Sequence, residues 1–367
     1  MDETRVVTFA RVADFGLDVR VHCLEVVDGQ EQGRTIIIKE NGATLGRSPP
    51  ADIVLSDSEV SRSHCRFTVV DGILRMADLN STNGTFLDGI RVSGEVPVPV
   101  GAILRMGRQT LKHEHRTEKE ILQRDEFDRE IKKANAYVQA LLPQPIVEGP
   151  IEAEWVFQPC SKLGGDAFGY GPLNDNEFLV YMIDVSGHGA GAAMHSVAIM
   201  NLLRKRALPG ANMAEPTEVL TAFNAMFPMD DHAGMYFTMW YGVYNVTSRE
   251  LRFATAGHHP AFLVGPGQEP VPLRTRGGLV GADPGTVYRA AAVTVPPDAS
   301  FYLFSDGVFE IVTKDGVEWG LNDFLRLLPA TPVEGQNEST GIFGQVRGLA
   351  RAGELDDDFS LLILRFH

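Results

Sequence analysis

The chain has 367 residues, 44% of them apolar, and a formal net charge of −15, a size that suggests two or three domains with real cores. No apolar run is long enough to span a bilayer and the start, Met1-Asp-Glu-Thr-Arg, lacks a signal-peptide pattern, so a cytoplasmic protein with no membrane partner is expected. Residues 143–367 carry 26 acidic and 14 basic side chains, which argues against a nucleic-acid partner, and Cys23, Cys65 and Cys160 read as reduced thiols rather than a disulfide or zinc framework.

Residues 1–19 carry no clear pattern and read as an N-terminal arm. Residues 20–112 read as all-β. Short runs such as Val19–Val26, Arg34–Ile38 and Cys65–Val70 are separated by Gly, Asp and Asn turns at the spacing of a β-sandwich. Residues 113–142 lack Gly and Pro. There Phe127, Ile131, Ala134, Val138 and Leu141 step by four, three, four and three, which predicts a helix ended by Pro143. The stripe fits an amphipathic helix docked on its own domain. It fits equally a dimerising helix that would make the chain a homodimer.

Residues 143–367 alternate between strand-like and helix-like runs. Helices are predicted over 192–207 and 218–227. Strands are predicted over Phe178–Ile183, Tyr236–Asn245, Glu250–Ala256, Ala261–Val264, Ala291–Val295, Ser300–Ser305 and Ser360–Phe366. Antiparallel strands in series with grouped helices imply an α+β sandwich.

Four Asp residues share a setting at strand ends. Asp166 follows Gly164-Gly165. Asp184 closes an apolar run and precedes Val185-Ser-Gly-His-Gly189. Asp306 ends Phe301–Phe304 and precedes Gly307, and Asp357 lies in Asp356-Asp-Asp358 before the last strand. Each alone reads as a turn residue or a cap. Gathered at one sheet rim they would repel one another, and a hard divalent cation would relieve that cost. The absence of a matching His/Cys set favours Mg²⁺ or Mn²⁺ over zinc. Two such ions can activate a water against a phosphate ester.

The motifs Gly164-Gly-Asp166, Asp184–Gly189, Ala256-Gly-His-His-Pro260, Phe304–Glu310 and Asp357-Asp-Phe-Ser360 resemble, in order, those of the metal-dependent PPM (type 2C) protein phosphatases. The nearest resemblance is to the SpoIIE/RsbU-like branch. This implies a central β-sandwich flanked by helices, and hydrolysis of phosphoserine or phosphothreonine in proteins. Carried over by position, Asp166, Asp184, Asp306 and Asp357 are the catalytic carboxylates and metal ligands, working through water activated by two Mn²⁺ or Mg²⁺ ions. Asp184 would bridge both ions, and the Val185 carbonyl would help to hold one. The branch usually has an acidic residue three positions after the Asp of Gly-Gly-Asp, and this chain has Gly169 there. His188, His258 and His259 read as structural. Lys162 and Arg204–Arg206 are the basic candidates for a phosphate clamp.

In the β domain, Gly46-Arg47, Ser61-Arg-Ser-His64 and Asn80-Ser-Thr-Asn-Gly-Thr85 fall on inferred loops. Arg and Ser there suit phosphate oxygens, and an Asn amide suits a peptide backbone. The set resembles the signature of the forkhead-associated (FHA) domain, a β-sandwich that binds phosphothreonine peptides. By position Arg47, Ser61, Arg62 and Thr82 would face the phosphate and Asn83 the peptide. Gly46 and His64 would shape the loops.

The sequence therefore predicts an FHA sandwich over 20–112, a helical linker over 113–142 and a PPM phosphatase domain over 143–367. The expected function is a Ser/Thr protein phosphatase in bacterial signalling, targeted or regulated by its FHA domain. A phosphorylated anti-sigma-factor antagonist is one candidate substrate, and a Ser/Thr kinase is one candidate phosphothreonine partner. The alternative is a phosphothreonine-binding scaffold with a degenerate phosphatase domain.

Overall fold

The computed structural model describes residues 20–160, 163–206, 208–328, 337–351 and 355–367. The arm at 1–19 and Lys162 lie outside them. The chain divides into two compact units, Met1–Arg129 and Glu130–His367.

The N-terminal unit is the expected β-sandwich. A six-stranded sheet is built around Arg20–Asp28 and Gln109–Thr117, and a five-stranded sheet around Cys65–Val70 and Ile73–Asp78. Leu24, Leu104 and Leu111 from the first sheet pack with Leu45 and Phe67 from the second. Apolar residues alternate along Cys65–Val70, so one face is buried.

One boundary differs from the sequence reading. The sequence places residues 113–117 in the linker helix, but the last strand runs Gln109–Thr117. Its residues His113–Thr117 pair antiparallel with Arg20–Leu24. The pattern of a polar edge of this kind resembles that of a polar helix, and only the partner strand distinguishes them. Helix α1 then spans Glu118–Leu141. It opens with a reciprocal cap: the Thr117 hydroxyl accepts from the Glu120 N–H, and the Glu120 carboxylate accepts from the Thr117 N–H. In the first unit Ile121 is buried and Arg124 pairs with Glu25. In the second unit Val138 joins the core, as does Leu142 just past the helix end. Phe127, at the start of the predicted stripe, is 60% exposed.

The C-terminal unit is the expected α+β sandwich. Its strands are β1 (Ile151–Gln158), β2 (Ala167–Pro172), β3 (Glu177–Val185), β4 (Phe237–Asn245), β5 (Glu250–Ala256), β6 (Ala261–Val264), β7 (Val271–Leu273), β8 (Ala290–Thr294), β9 (Ala299–Phe304) and β10 (Phe359–Phe366). One antiparallel sheet has the order β1-β10-β9-β6-β7 and the other β2-β3-β4-β5-β8. Between them Trp240 of β4 stacks on Phe253, tilts against Phe301 of β9 and donates its indole N–H to the Leu273 carbonyl at 2.9 Å. Helices α2 (Ala190–Arg204) and α3 (Pro216–Met226) cover the outer face of the second sheet, and α4 (Glu338–Leu349) packs on the first. Within the described residues no helix is long and apolar enough to cross a membrane.

The loop after β5 buries two imidazoles. His258 lies against His259, whose ring stacks on Phe304 at 4.8 Å. Burial pushes the His258 pKa down to about 4. In the unfolded chain the ring titrates near its ordinary value of about 6.5. Between those values the unfolded chain binds a proton that the native chain does not, so stability falls as pH falls through that window. Urea melts of wild type and His258→Gln, run at about pH 7.5 and about pH 5, check this: the wild type is expected to lose about 2 kcal/mol more than the variant.

Candidate metal centre and phosphopeptide-binding loops

Asp184 is the second-last residue of β3 and leads into Val185-Ser186-Gly187-His188-Gly189, the turn before α2. Gly187 and Gly189 have φ of 85° and 89°, a region that favours glycine. The turn is pinned at Ser186, whose N–H donates to the Tyr236 carbonyl and whose hydroxyl accepts from the Tyr236 N–H. Asp166 immediately precedes β2, and the register pairs Ala167 with Ile183, so Asp166 and Asp184 stand side by side at one end of neighbouring strands. Asp306 follows β9, and Asp357 lies just before β10, the partner of β9. Strand ends from both sheets thus bring the four predicted carboxylates to one rim.

Their electrostatics record that proximity. Asp184 is pushed up to about 7, chiefly by burial and then by the charges of Asp306, Asp357, Asp358 and Glu310. Burial and the charges of Asp357 and Glu310 push Asp306 up to about 6. Asp166, 2% exposed, is raised by burial, by Asp184 and by Asp358, while its carboxylate accepts from the Ser360 hydroxyl at 2.6 Å. Asp357, solvent-facing as a residue, is raised by partial desolvation of its carboxyl group and by the Asp358 charge, against the lowering effects of the Asp358 N–H that it accepts and of His188. Carboxylates gathered this way are stable as anions only if a cation offsets them. Asp166, Asp184, Asp306 and Asp357, with the Val185 carbonyl, are oxygen donors that a hard divalent ion could draw together, although among the described residues the ligand atoms already within one ion's reach are those of Cys160, Asp357 and Asp358. That carbonyl is approached so closely by Gly165 that a Cβ there would stand 2.6 Å away.

Asp358 has a different occupation. It is 4% exposed, and its two oxygens accept the backbone N–H of Cys160 at 2.9 Å, of Gly165 at 2.7 Å and of Asp166 at 3.3 Å. Gly164 sits against the same carboxylate, where a Cβ would come within 2.2 Å of it. Asp357 is exposed and uses one oxygen only for the Asp358 N–H at 2.8 Å. The neighbours Asp357 and Asp358 are therefore a free carboxylate and a backbone clamp.

The sequence reading assigned no role to Glu310 and Ser360. Both lie inside motifs it quoted, but only the fold shows that Glu310 acts on Asp184 and Asp306, and that Ser360 binds Asp166. His188 is exposed beside Asp357. Gly169 pairs with Tyr181, one step along from the Phe168–Met182 pair, so it faces the helices while Asp184 shares the inter-sheet face of Met182. A carboxylate at 169 would point away from the rim. Arg204 and Arg206 lie at the far end of α2 on the helix side, where Arg206 donates to the Leu173 carbonyl, and they are not brought to the carboxylates.

In the N-terminal unit the predicted loop residues meet at one end of the sandwich. Arg47 is exposed, donates its N–H to the Ser61 carbonyl, and reaches the Ser58 carbonyl with Nη1 at 3.1 Å. The Ser61 hydroxyl accepts the Thr82 N–H at 3.0 Å. Asn83 donates its amide to the Glu59 carbonyl at 2.9 Å, and Arg62 is exposed. His64 is fully buried. The Ser61 N–H donates to its Nδ1, so Nε2 carries the proton and donates to the Gly84 carbonyl at 3.2 Å. Gly46 lies under the Arg62 carbonyl, where a Cβ would come within 1.9 Å. His64 and Gly46 thus hold the Ser61–Thr82 contact in place.

Comparison with known proteins bears on both units. Residues 43–107 match the FHA domain model, and residues 174–367 match the model described as Stage II sporulation protein E (SpoIIE). The chain is 27% identical over 256 residues to phosphoserine phosphatase RsbU of Bacillus subtilis, covering 69% of this chain and 74% of that protein. It is 23% identical over 206 residues to phosphoserine phosphatase RsbP of the same organism, covering 56% of this chain and only 50% of RsbP. In fold, it resembles the PP2C domain of SiaA from Pseudomonas aeruginosa, with a TM-score of 0.56 at 18% identity, over 66% of this chain and 98% of that one. With the SpoIIE match covering more than half of its length and an FHA domain ahead of it, the chain belongs to the SpoIIE family of PP2C-type phosphatase domains.

Proposed function

We propose that this chain is a metal-dependent Ser/Thr protein phosphatase that its FHA domain brings to phosphothreonine-bearing proteins. The observation that supports this most is the convergence of Asp166, Asp184, Asp306 and Asp357 at one rim, where loss of solvation first and neighbouring carboxylate charges second raise their pKa values. Two Mn²⁺ or Mg²⁺ ions held there would supply a polarised water and neutralise phosphoryl oxygens. The protein's own contribution is placement. Ser360 orients the Asp166 carboxylate, Asp358 fixes the backbone that carries it, and the Ser186–Tyr236 pairing fixes the turn after Asp184. A scaffold with a degenerate phosphatase domain has no need to keep four carboxylates together against their repulsion.

On the FHA side, Arg47, Ser61, Arg62 and Thr82 form the anion-facing edge, and Asn83 is placed for a peptide backbone. The partner is a phosphothreonine segment of another protein, and the substrate is a phosphorylated protein such as an anti-sigma-factor antagonist.

Four measurements test this reading. The wild-type chain is expected to release phosphate from a phosphoprotein or a chromogenic phosphate ester with Mn²⁺ present, and Asp184→Asn to lower that rate by at least about 100-fold. No release by the wild type with Mn²⁺ would overturn the catalytic reading, and calorimetric titration with Mn²⁺ separates it from the scaffold, which need not bind two ions. Asp357→Asn is expected to weaken Mn²⁺ binding with little change in melting. Asp358→Asn is expected to destabilise the C-terminal unit by about 1–3 kcal/mol, because a buried amide matches three N–H donors poorly. Arg47→Ala is expected to weaken binding of a phosphothreonine peptide at least about tenfold while leaving turnover of the chromogenic ester unchanged.

A further inference from the structure

The helix-covered face of β3 carries a feature that the carboxylate rim does not use. A cleft of about 290 Å³ opens between the exit of α1, strands β2 and β3, and the C-terminal end of α2. This is close to the lower end of small-molecule sites, roughly 300–1,000 Å³. Leu141, Pro143, Leu179 and Leu203 give it apolar walls. Tyr181 lies at its base, 3% exposed as a residue, with its hydroxyl opening onto the cleft and no hydrogen-bond partner for it among the described residues. Its neighbours are satisfied: Tyr241 donates to the Met213 carbonyl at 2.6 Å and Tyr170 to the Gln144 carbonyl at 2.8 Å. A hydroxyl held at the base of an apolar cleft without a protein partner offers its donor to what enters the cleft.

Two further observations give the acceptor its character. Gly169, the cross-strand partner of Tyr181, has no side chain, and a Cβ there would stand 2.4 Å from the Tyr181 hydroxyl oxygen. The hydroxyl therefore occupies space that any other residue at 169 would take. The charged residues of the lining are Arg204 and Arg206, with no carboxylate among them. They belong to Arg204-Lys205-Arg206, a basic run in an otherwise acidic domain. Arg206 spends one donor on the Leu173 carbonyl, while Arg204 is exposed at the mouth and its charge acts on the Tyr181 phenol. Apolar walls, a hydroxyl donor at the base and a guanidinium at the mouth with no carboxylate in the lining are complementary to an amphipathic anion.

We propose that this cleft binds a small organic carboxylate, its aryl or alkyl body against Leu141, Leu179 and Leu203 and its carboxylate accepting from the Tyr181 hydroxyl beside the Arg204 guanidinium. The site stands apart from the carboxylate rim and does not rest on the phosphatase reading. Inorganic phosphate lacks the apolar body and gains nothing from these walls.

The test is calorimetric titration of the full chain, kept in chelator, with benzoate, phenylacetate and octanoate as probes. Benzamide serves as a neutral isostere and inorganic phosphate as a bare anion. At least one carboxylate is expected to bind saturably, with benzamide and phosphate at least about tenfold weaker. Tyr181→Phe, which keeps the ring and removes the donor, is expected to weaken the carboxylate about fivefold. Arg204→Gln, a surface change, is expected to weaken it about tenfold. Melting curves establish that both variants are folded. Absence of saturable binding by every carboxylate up to about 10 mM, equal binding of benzamide, or carboxylate binding unchanged in both variants would overturn the proposal.

Discussion

The Asp358 carboxylate is the contact on which the rest of the C-terminal unit's rim depends. It lies next to the last strand, yet it accepts N–H groups from Cys160, Gly165 and Asp166, more than 190 positions earlier. That clamp closes the distance between the first and last motifs. Without it, Asp166 would have no fixed backbone from which to face Asp184. The close approach also explains the glycines before Asp166, since a side chain at 164 would occupy the position of the clamp itself.

The clamp therefore divides the acidic groups into two kinds. Asp358 is held by the protein's own N–H dipoles. Asp184 and Asp306 have no such clamp, and burial first, then the charges of Asp357 and Glu310, raise their pKa values. A folded protein maintains such an arrangement only where other packing offsets the repulsion. Here the offset comes from two sheets with a continuous core, centred on Trp240, Phe301 and Phe168, which hold the strand ends at fixed positions. The same separation between scaffold and site appears in the N-terminal unit. His64 and Gly46 are buried and hold the loops, while Arg47, Arg62, Thr82 and Asn83 stay at the surface.

The sequence exposed the site more readily than the fold around it. The four Asp residues and the FHA loop residues sit in short ordered motifs, and it was the resemblance of those motifs to known families that gave each residue its expected role. Strand limits within the C-terminal unit, such as Glu250–Ala256 and Ala261–Val264, were equally legible because apolar runs end at glycine and polar turns. The strand at 113–117 was not, because His113-Glu-His-Arg-Thr117 has the polarity of a helix start and its partner at Arg20–Leu24 is remote in sequence. The division between Asp357 and Asp358 was hidden for a similar reason. Two identical residues in sequence differ only in what three distant backbone groups do to one of them.

Strand β3 shows the same limit in its sharpest form. Phe178–Ile183 is apolar throughout because both faces are covered, one by the other sheet and one by α2 and α3. A strand buried on both sides carries no period-two signal, so its sequence cannot say which side chains face which layer. The register supplies that answer. Met182 and Asp184 face the inter-sheet layer, and Tyr181 faces the helices opposite Gly169. One pleat thus separates the carboxylate rim from the Tyr181 cleft, and nine consecutive pairings with β4 keep that pleat rigid. The absent acidic side chain at 169 and the unpartnered hydroxyl at 181 are then one structural fact. The space that a side chain at 169 would fill is taken by the phenol, on the face of β3 that does not carry the metal-site carboxylates.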